Sequence, residues 1–228
     1  MNVAAGVGGV TADASGPREP RAGAVTLLRA AGLAASRWKN GGGVTREIAA
    51  FSPTGTSFGA PAGSDLETFV WRVSVADVEK AGPFSRFAGV DRTLVLLSGN
   101  GMLLDEQGGV THELRKPLDA AHFNGEAAID ASLVDGPTRD FNLMLRRGRV
   151  RGLVDVWRGD AEHTLDADVM LLFCASGTLD VTLGLDAQGG GAPVTLGEMD
   201  TLSIEAPRAL SCAVAGTGVM LAVYIRYV

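Results

Sequence analysis

The sequence predicts an all-β protein assembled from two β-rich units in one chain. Three observations carry this. From Trp71 to Val75, apolar and polar residues alternate with the period of a strand, as in Trp71-Arg72-Val73-Ser74-Val75. Short apolar runs of buried-strand type, Leu94–Leu97 and Met170–Phe173, recur between Gly, Asn and Asp clusters, and no long 3.6-residue stripe is present. A weak internal repeat recurs at an offset of 78–80 residues. Leu96-Leu97-Ser98-Gly99-Asn100-Gly101 falls opposite Cys174-Ala175-Ser176-Gly177-Thr178-Leu179, Leu118–Phe123 opposite Gly197–Leu202, and Gly136–Met144 opposite Gly216–Tyr224. Each unit reads strand, Gly turn, strand, loop, strand, turn, strand. Two such units fit two β-sandwich barrels or one elongated double barrel.

Along the chain, residues 1–22 are rich in Ala and Gly, with neither the basic start nor the apolar centre of an export signal, and read as a flexible leader. Strand periodicity begins near Val25. The expected division is a first unit over 23–151, carrying the ligand pocket, and a second, acidic unit over 152–228. Pro53–Leu66, rich in Pro, Gly, Ser and Thr, reads as a long surface loop between two strands. Ser98-Gly99-Asn100-Gly101, Gly108-Gly109, Asp135-Gly136-Pro137 and Gly189–Gly191 are turn signals, because Gly and Asn tolerate positive φ.

Composition removes several function classes. With 46% apolar and 20% charged residues in 228, the chain can bury a sizeable core and is not a disordered polymer. The longest apolar runs, Val169–Ala175 and Val219–Ile225, are far short of the roughly 18–20 residues that cross a bilayer. A net charge of −6 argues against nucleic acid as a partner. The charge is unevenly placed: residues 23–151 carry 15 basic and 14 acidic side chains, residues 152–228 only 3 and 10. An anionic ligand is therefore sought in the first unit. Cys174 and Cys212 lie in apolar stretches without a CxxC pair, as reduced core thiols of a cytosolic protein do.

Four clusters could carry chemistry. Arg37-Trp38-Lys39-Asn40-Gly41-Gly42-Gly43-Val44-Thr45-Arg46-Glu47 joins three glycines to side chains that stack on and hydrogen-bond a polar ligand. Those glycines serve either a tight turn or the presentation of backbone N–H groups to an anion. In Trp71-Arg72-Val73-Ser74, Arg72 and Ser74 share the face opposite Trp71. If that face is outward, Arg72 is a solvated strand charge; if it lines a barrel, Arg72 is a buried cation that a carboxylate would satisfy. The third is Gly82-Pro83-Phe84-Ser85-Arg86-Phe87 with Asp91-Arg92. In the fourth, Asp140, Asn142 and Met144 share one strand face, and Arg147, Arg149 and Arg151 read as a solvated run. His112, His122 and His163 form no HxH or HExxH pattern, so neither a metal nor another cofactor is expected. No GxGxxG or GxxxxGK[ST] loop is present.

The ordered blocks Trp38-Lys39-Asn40-Gly41-Gly42-Gly43-Val44-Thr45-Arg46-Glu47-Ile48, Trp71-Arg72-Val73-Ser74-Val75-Ala76, Gly82-Pro83-Phe84-Ser85, Asp91-Arg92 and Asp140-Phe141-Asn142-Leu143-Met144 resemble the signature blocks of the HutD/Ves family over residues 25–227. The resemblance implies a double cupin-type (bicupin, jelly-roll-like) β-barrel without the usual metal-binding histidines. It also implies an association with histidine utilisation and a small acidic ligand of the N-formylglutamate or urocanate class. It brings no established catalytic residues.

The expected function is a non-catalytic, cytoplasmic binding and regulatory protein for a small carboxylate metabolite. The expected ligand-binding residues are Trp38, Lys39, Asn40, Arg46, Glu47, Trp71, Arg72, Ser74, Phe84, Arg92 and Asn142. The alternatives are a metal-independent isomerase or hydrolase, with Glu47 as the strongest candidate base and Asp140 and His122 weaker ones, and a partner-binding module without a small ligand. A homodimer is compatible with all three.

Overall fold

The computed structural model describes residues 23–60, 68–184 and 191–228. The leader at 1–22 and the Gly189-Gly190 part of one turn signal lie outside them. The strands are β1 (Val25–Leu28), β2 (Ala35–Arg37), β3 (Gly43–Ser52), β4 (Gly55–Phe58), β5 (Trp71–Val78), β6 (Gly82–Pro83), β7 (Val90–Ser98), β8 (Met102–Glu106), β9 (Thr111–Leu114) and β10 (Ala120–Asn124). They continue with β11 (Ile129–Leu133), β12 (Thr138–Arg146), β13 (Val150–Arg158), β14 (Ala161–Leu165), β15 (Val169–Ser176), β16 (Leu179–Leu183), β17 (Val194–Leu196), β18 (Thr201–Glu205), β19 (Leu210–Gly216) and β20 (Val219–Tyr227).

The repeat is written in the topology. A large sheet runs β10-β7-β12-β5-β3-β2, with β4 on β3, and faces a four-stranded sheet β6-β11-β8-β9. The second half repeats this with a sheet β1-β18-β15-β20-β13 facing β14-β19-β16-β17. Equivalent strands therefore stand in the same order. Even the irregularity recurs: the β7–β12 ladder skips Leu97 and the β15–β20 ladder skips Ala175, one bulge in two copies. Leu118 and Met199, each two positions ahead of β10 and β18, both hold positive φ, at 74° and 66°. The halves differ at their edges. β3 lies along β5, whereas β13 ends its sheet, and the early strand β1 pairs with β18 of the second half.

The two large sheets pack back to back. Ile48, Trp71, Val73, Val75, Phe141 and Leu143 meet Val169, Leu171, Phe173, Leu221, Val223 and Ile225 in one core. This settles the orientation of β5, which is buried on both faces. Trp71, Val73 and Val75 face the other half, so Arg72 and Ser74 must point into the interior of their own. Within each half the sheets enclose a second core, with Leu94, Leu96, Leu104 and Ile129 in the first and Met170, Leu172, Cys174 and Cys212 in the second. Both cysteines are free and buried, and burial pushes their thiols up to about 11.

The expected loop at 53–66 is corrected in part. Gly55–Phe58 is strand β4, paired with β3 from Ser52↔Gly55 to Ala49↔Phe58. Pro53-Thr54 makes a two-residue hairpin turn, and the φ of +124° at Gly55 lets the chain reverse there. Residues 61–67 lie outside the described part. Among the described residues no helix is long and apolar enough to cross a membrane.

Candidate functional site

The interior of the first half holds a cavity of about 550 Å³, the size of a small-molecule site. Its buried wall comes from three neighbouring strands: Arg72, Ser74 and Ala76 of β5, Asp140, Asn142 and Met144 of β12, and Arg92 of β7. Its rim is the end of β2 and the turn after it, with Arg37, Trp38, Lys39 and Asn40, and the end of β6 and the segment after it, with Pro83, Phe84, Ser85 and Phe87. Strand alternation thus sends one face of β5 and β12 into the core between the halves and the other into the cavity.

The glycines of the rim shape the turn. Gly41 donates its N–H to the Trp38 carbonyl at 3.0 Å, and Gly42 donates to Asn40 Oδ1 at 3.0 Å. These amides are consumed internally, which corrects the reading of them as anion donors. At Gly43 a Cβ would stand 2.4 Å from the Asp77 carbonyl oxygen, so only glycine allows β3 to approach β5 there. Gly43→Ala is expected to cost about 1–3 kcal/mol in denaturant unfolding and to displace the Trp38–Asn40 rim. Trp38 is held in place by its Nε1–H, donated to Thr45 Oγ1 at 2.7 Å, and by an edge-on contact with Phe84 at 6.2 Å.

Two guanidinium groups dominate the wall. Arg72 is 5% exposed and donates Nε–H to Glu47 Oε2 at 2.8 Å. Glu47 is therefore its counter-ion rather than a free base, and the Nη groups of Arg72 make no hydrogen bond among the described residues. Arg92 donates to Asn142 Oδ1 at 2.8 Å and sits over three rings, Phe84, Phe87 and Phe123, at 5.4, 5.7 and 5.0 Å. Its Nε is buried with no hydrogen-bond partner among the described residues. Burial pulls the Arg92 pKa down to about 10, although Asp140 opposes this. Asn142 bridges onward, donating Nδ2–H to Asp140 Oδ2 at 2.7 Å. Asp140 is 1% exposed, its Oδ1 has no hydrogen-bond partner among the described residues, and burial pushes its pKa up to about 7 against the pull of Arg92 and Asn142.

The cavity gathers eight of the eleven expected residues: Trp38, Lys39, Asn40, Arg72, Ser74, Phe84, Arg92 and Asn142. Glu47 stands behind Arg72. Trp71 and Arg46 do not line it. Trp71 faces the core between the halves and donates Nε1–H to Tyr227 Oη at 3.2 Å. Arg46 pairs with Asp77, which also binds Arg139; burial opposes it, but the two cations hold the Asp77 carboxyl below its ordinary range. Asp140 and Phe87 were outside the expected binding set. The signal for Asp140 was its two-residue spacing from Asn142. No histidine lines the cavity: His122 contacts Thr93, His112 lies beside Phe123, and His163 stacks on Trp157. Among the described residues no three His, Cys, Asp or Glu side chains gather as a metal site would require.

The polar wall is not a requirement of the fold. In the second half the register places Leu153, Met170, Met220 and Ala222 where the first half has Arg72, Arg92, Asp140 and Asn142. There Met170, Met220 and Ala222 are buried in an apolar core, while Leu153 is exposed. Four buried polar groups in the first half therefore carry a desolvation cost that the fold itself does not demand.

Comparison with known proteins agrees with this architecture. The family model described as HutD matches residues 30–222. An uncharacterized 21.2 kDa protein in the hutC 3′ region of Pseudomonas putida is 37% identical over 179 residues, covering 78% of this chain and 86% of that protein. A conserved protein of unknown function from Pseudomonas aeruginosa PAO1 superposes with a TM-score of 0.74 at 31% identity, covering 89% of this chain and 99% of that one. HutD from Pseudomonas fluorescens SBW25, solved in a formate condition, superposes with a TM-score of 0.71 at 29% identity, covering 90% of this chain and 100% of that one. The fold is all-β and double cupin-type, as the sequence predicts. The chain belongs to the HutD family.

Proposed function

We propose that the chain is a cytoplasmic binding protein for a small carboxylate metabolite of histidine utilisation, of the N-formylglutamate or urocanate class, and acts as a regulator rather than a catalyst. The observation that carries the reading is the pair of buried guanidinium groups, Arg72 and Arg92, in a cavity whose repeat-related counterpart is apolar. Glu47 fixes the Arg72 guanidinium by its Nε side, which leaves the Nη edge for a bidentate carboxylate. Asn142, Ser74 and Lys39 add hydrogen bonds, and Trp38 and Phe84 offer aromatic faces. Two or three charge-assisted contacts of about 1.5–3 kcal/mol each support micromolar affinity, about −8 kcal/mol. The hutC neighbourhood named for the Pseudomonas putida relative supports the metabolic setting.

A thermal-shift screen of N-formylglutamate, urocanate and their amides tests this. A rise in Tm with one acid and none with its amide is expected, and equal responses to acid and amide would refute the carboxylate assignment. The pH dependence has a fixed sign. Neutral Asp140 leaves the Arg92 charge uncompensated, so affinity for an anion rises as pH falls through about 7. With one linked proton the slope is at most about tenfold per pH unit. Calorimetric titration across that range checks it, and Asp140→Asn is expected to flatten the profile.

One observation favours a second reading. Asp140 is a buried carboxyl poised near neutrality in a ligand-sized cavity, the condition of a general acid or base. The alternative is a metal-independent isomerase or hydrolase with Asp140, not Glu47, moving the proton. Absorbance assays of urocanate and N-formylglutamate with purified protein separate the readings: turnover abolished by Asp140→Asn supports the enzyme, and binding without turnover supports the binding protein.

A further inference from the structure

We propose that the open edge of β13 is a self-association surface, on which a second copy of this chain adds its own β13 antiparallel about Leu153. In the first half, the equivalent strand β5 has its outer edge covered by β3 over eight residue pairs. In the second half no described residue takes that seat, and β13 pairs only with β20 among the described residues. The consequence is visible at equivalent positions: Arg72 is 5% exposed, whereas Leu153 is 54% exposed.

The edge is self-complementary. Val228 N–H donates to the Arg149 carbonyl at 3.0 Å, in register with the β13–β20 ladder. Odd-numbered residues of β13 therefore turn their backbone groups to β20, and Gly152, Val154 and Val156 turn theirs outward. Asp155 Oδ1 accepts the outward Val156 N–H at 2.8 Å, a stopgap for a missing ladder partner. Pairing about Leu153 sets Gly152 opposite Val154 of the second copy with their N–H and C=O groups exchanged. The same register sets Leu153 opposite Leu153, and Arg151 opposite Asp155, twice by symmetry. These last are non-hydrogen-bonded pairs, in which side chains stand closest. Arg151 makes no ion pair among the described residues, and Arg151, Leu153 and Asp155 are exposed on one face of the strand. On association Val156 N–H passes to the Val150 carbonyl of the second copy, and Asp155 Oδ1 is released to Arg151. The surface lies in the half without the cavity, so it stands independently of the ligand reading.

The test is the mass of the full chain in solution by light scattering and sedimentation, with circular dichroism to confirm folding. The expected result is a dimer whose self-association weakens by roughly tenfold or more in Arg151→Asp, which opposes two carboxylates, and in Leu153→Lys, which opposes two ammonium groups on the axis. A monomeric wild type, or a dimer unmoved by either folded variant, would overturn the proposal.

Discussion

Arg72→Ala is expected to destabilise the protein by about 3–5 kcal/mol and to abolish the thermal shift produced by a carboxylate. The reason is Glu47. Its side chain is 9% exposed against 5% for Arg72, and beyond the 2.8 Å ion pair it receives, among the described residues, only a long hydrogen bond from Ser57 Oγ at 3.4 Å. Removing the cation leaves a charge in the protein interior with almost nothing to stabilise it. Stability and binding can be separated. In Arg72→Met combined with Glu47→Leu both charges are replaced by apolar volume, an exchange that is often neutral for buried pairs. The double variant is expected to recover most of the urea midpoint and none of the ligand response. A double variant that binds the acid like wild type would remove Arg72 from the binding site.

Arg92→Leu is expected to show a stability loss that depends on pH. The change strips the cation from among Phe84, Phe87 and Phe123 and leaves Asn142 Oδ1 without a donor, a cost of about 1–3 kcal/mol. It also removes the charge that opposes the desolvation of Asp140. In the wild type the folded-state pKa of Asp140, about 7, already lies above its ordinary 3.8. The folded protein holds this proton more tightly than the unfolded chain, so the stabilisation is full below about 4 and is lost as pH rises through about 7. Without Arg92 that pKa climbs further. The variant is expected to retain only the fixed deficit of the lost contacts on the acid side and to fall furthest behind above neutrality. Denaturant titrations at several pH values read this directly, and a deficit constant with pH would show that Arg92 and Asp140 are not coupled.

Much of this was legible in the residues, for physical reasons. The period of two in Trp71–Val75 and Asp140–Met144 sorted side chains into two sets, and the 78–80-residue offset announced two like halves. Which set faced the cavity was not legible, because β5 and β12 are buried on both faces and alternation carries no sign. That is why Trp71 entered the expected binding set beside Arg72; Asp140, on the same face as Asn142, was weighed only as a candidate base. Arg46 and Glu47 are neighbours in sequence and were read together. On a strand they point to opposite sides, one to Asp77 and the other to Arg72. β4 was hidden by its Pro- and Gly-rich surroundings, since its pairing depends on the register of β3 rather than on a pattern of its own.

Strand β1 has a consequence for how the polypeptide acquires its shape. Residues 25–28 pair with residues 201–204, and Arg29, immediately after them, binds Asp200. During synthesis, this segment must wait for a strand made more than 170 residues later before it finds its place. The core between the two large sheets waits in the same way. A nascent first half therefore emerges with its most apolar wall uncovered, and that wall is open to other chains until the second half has been made.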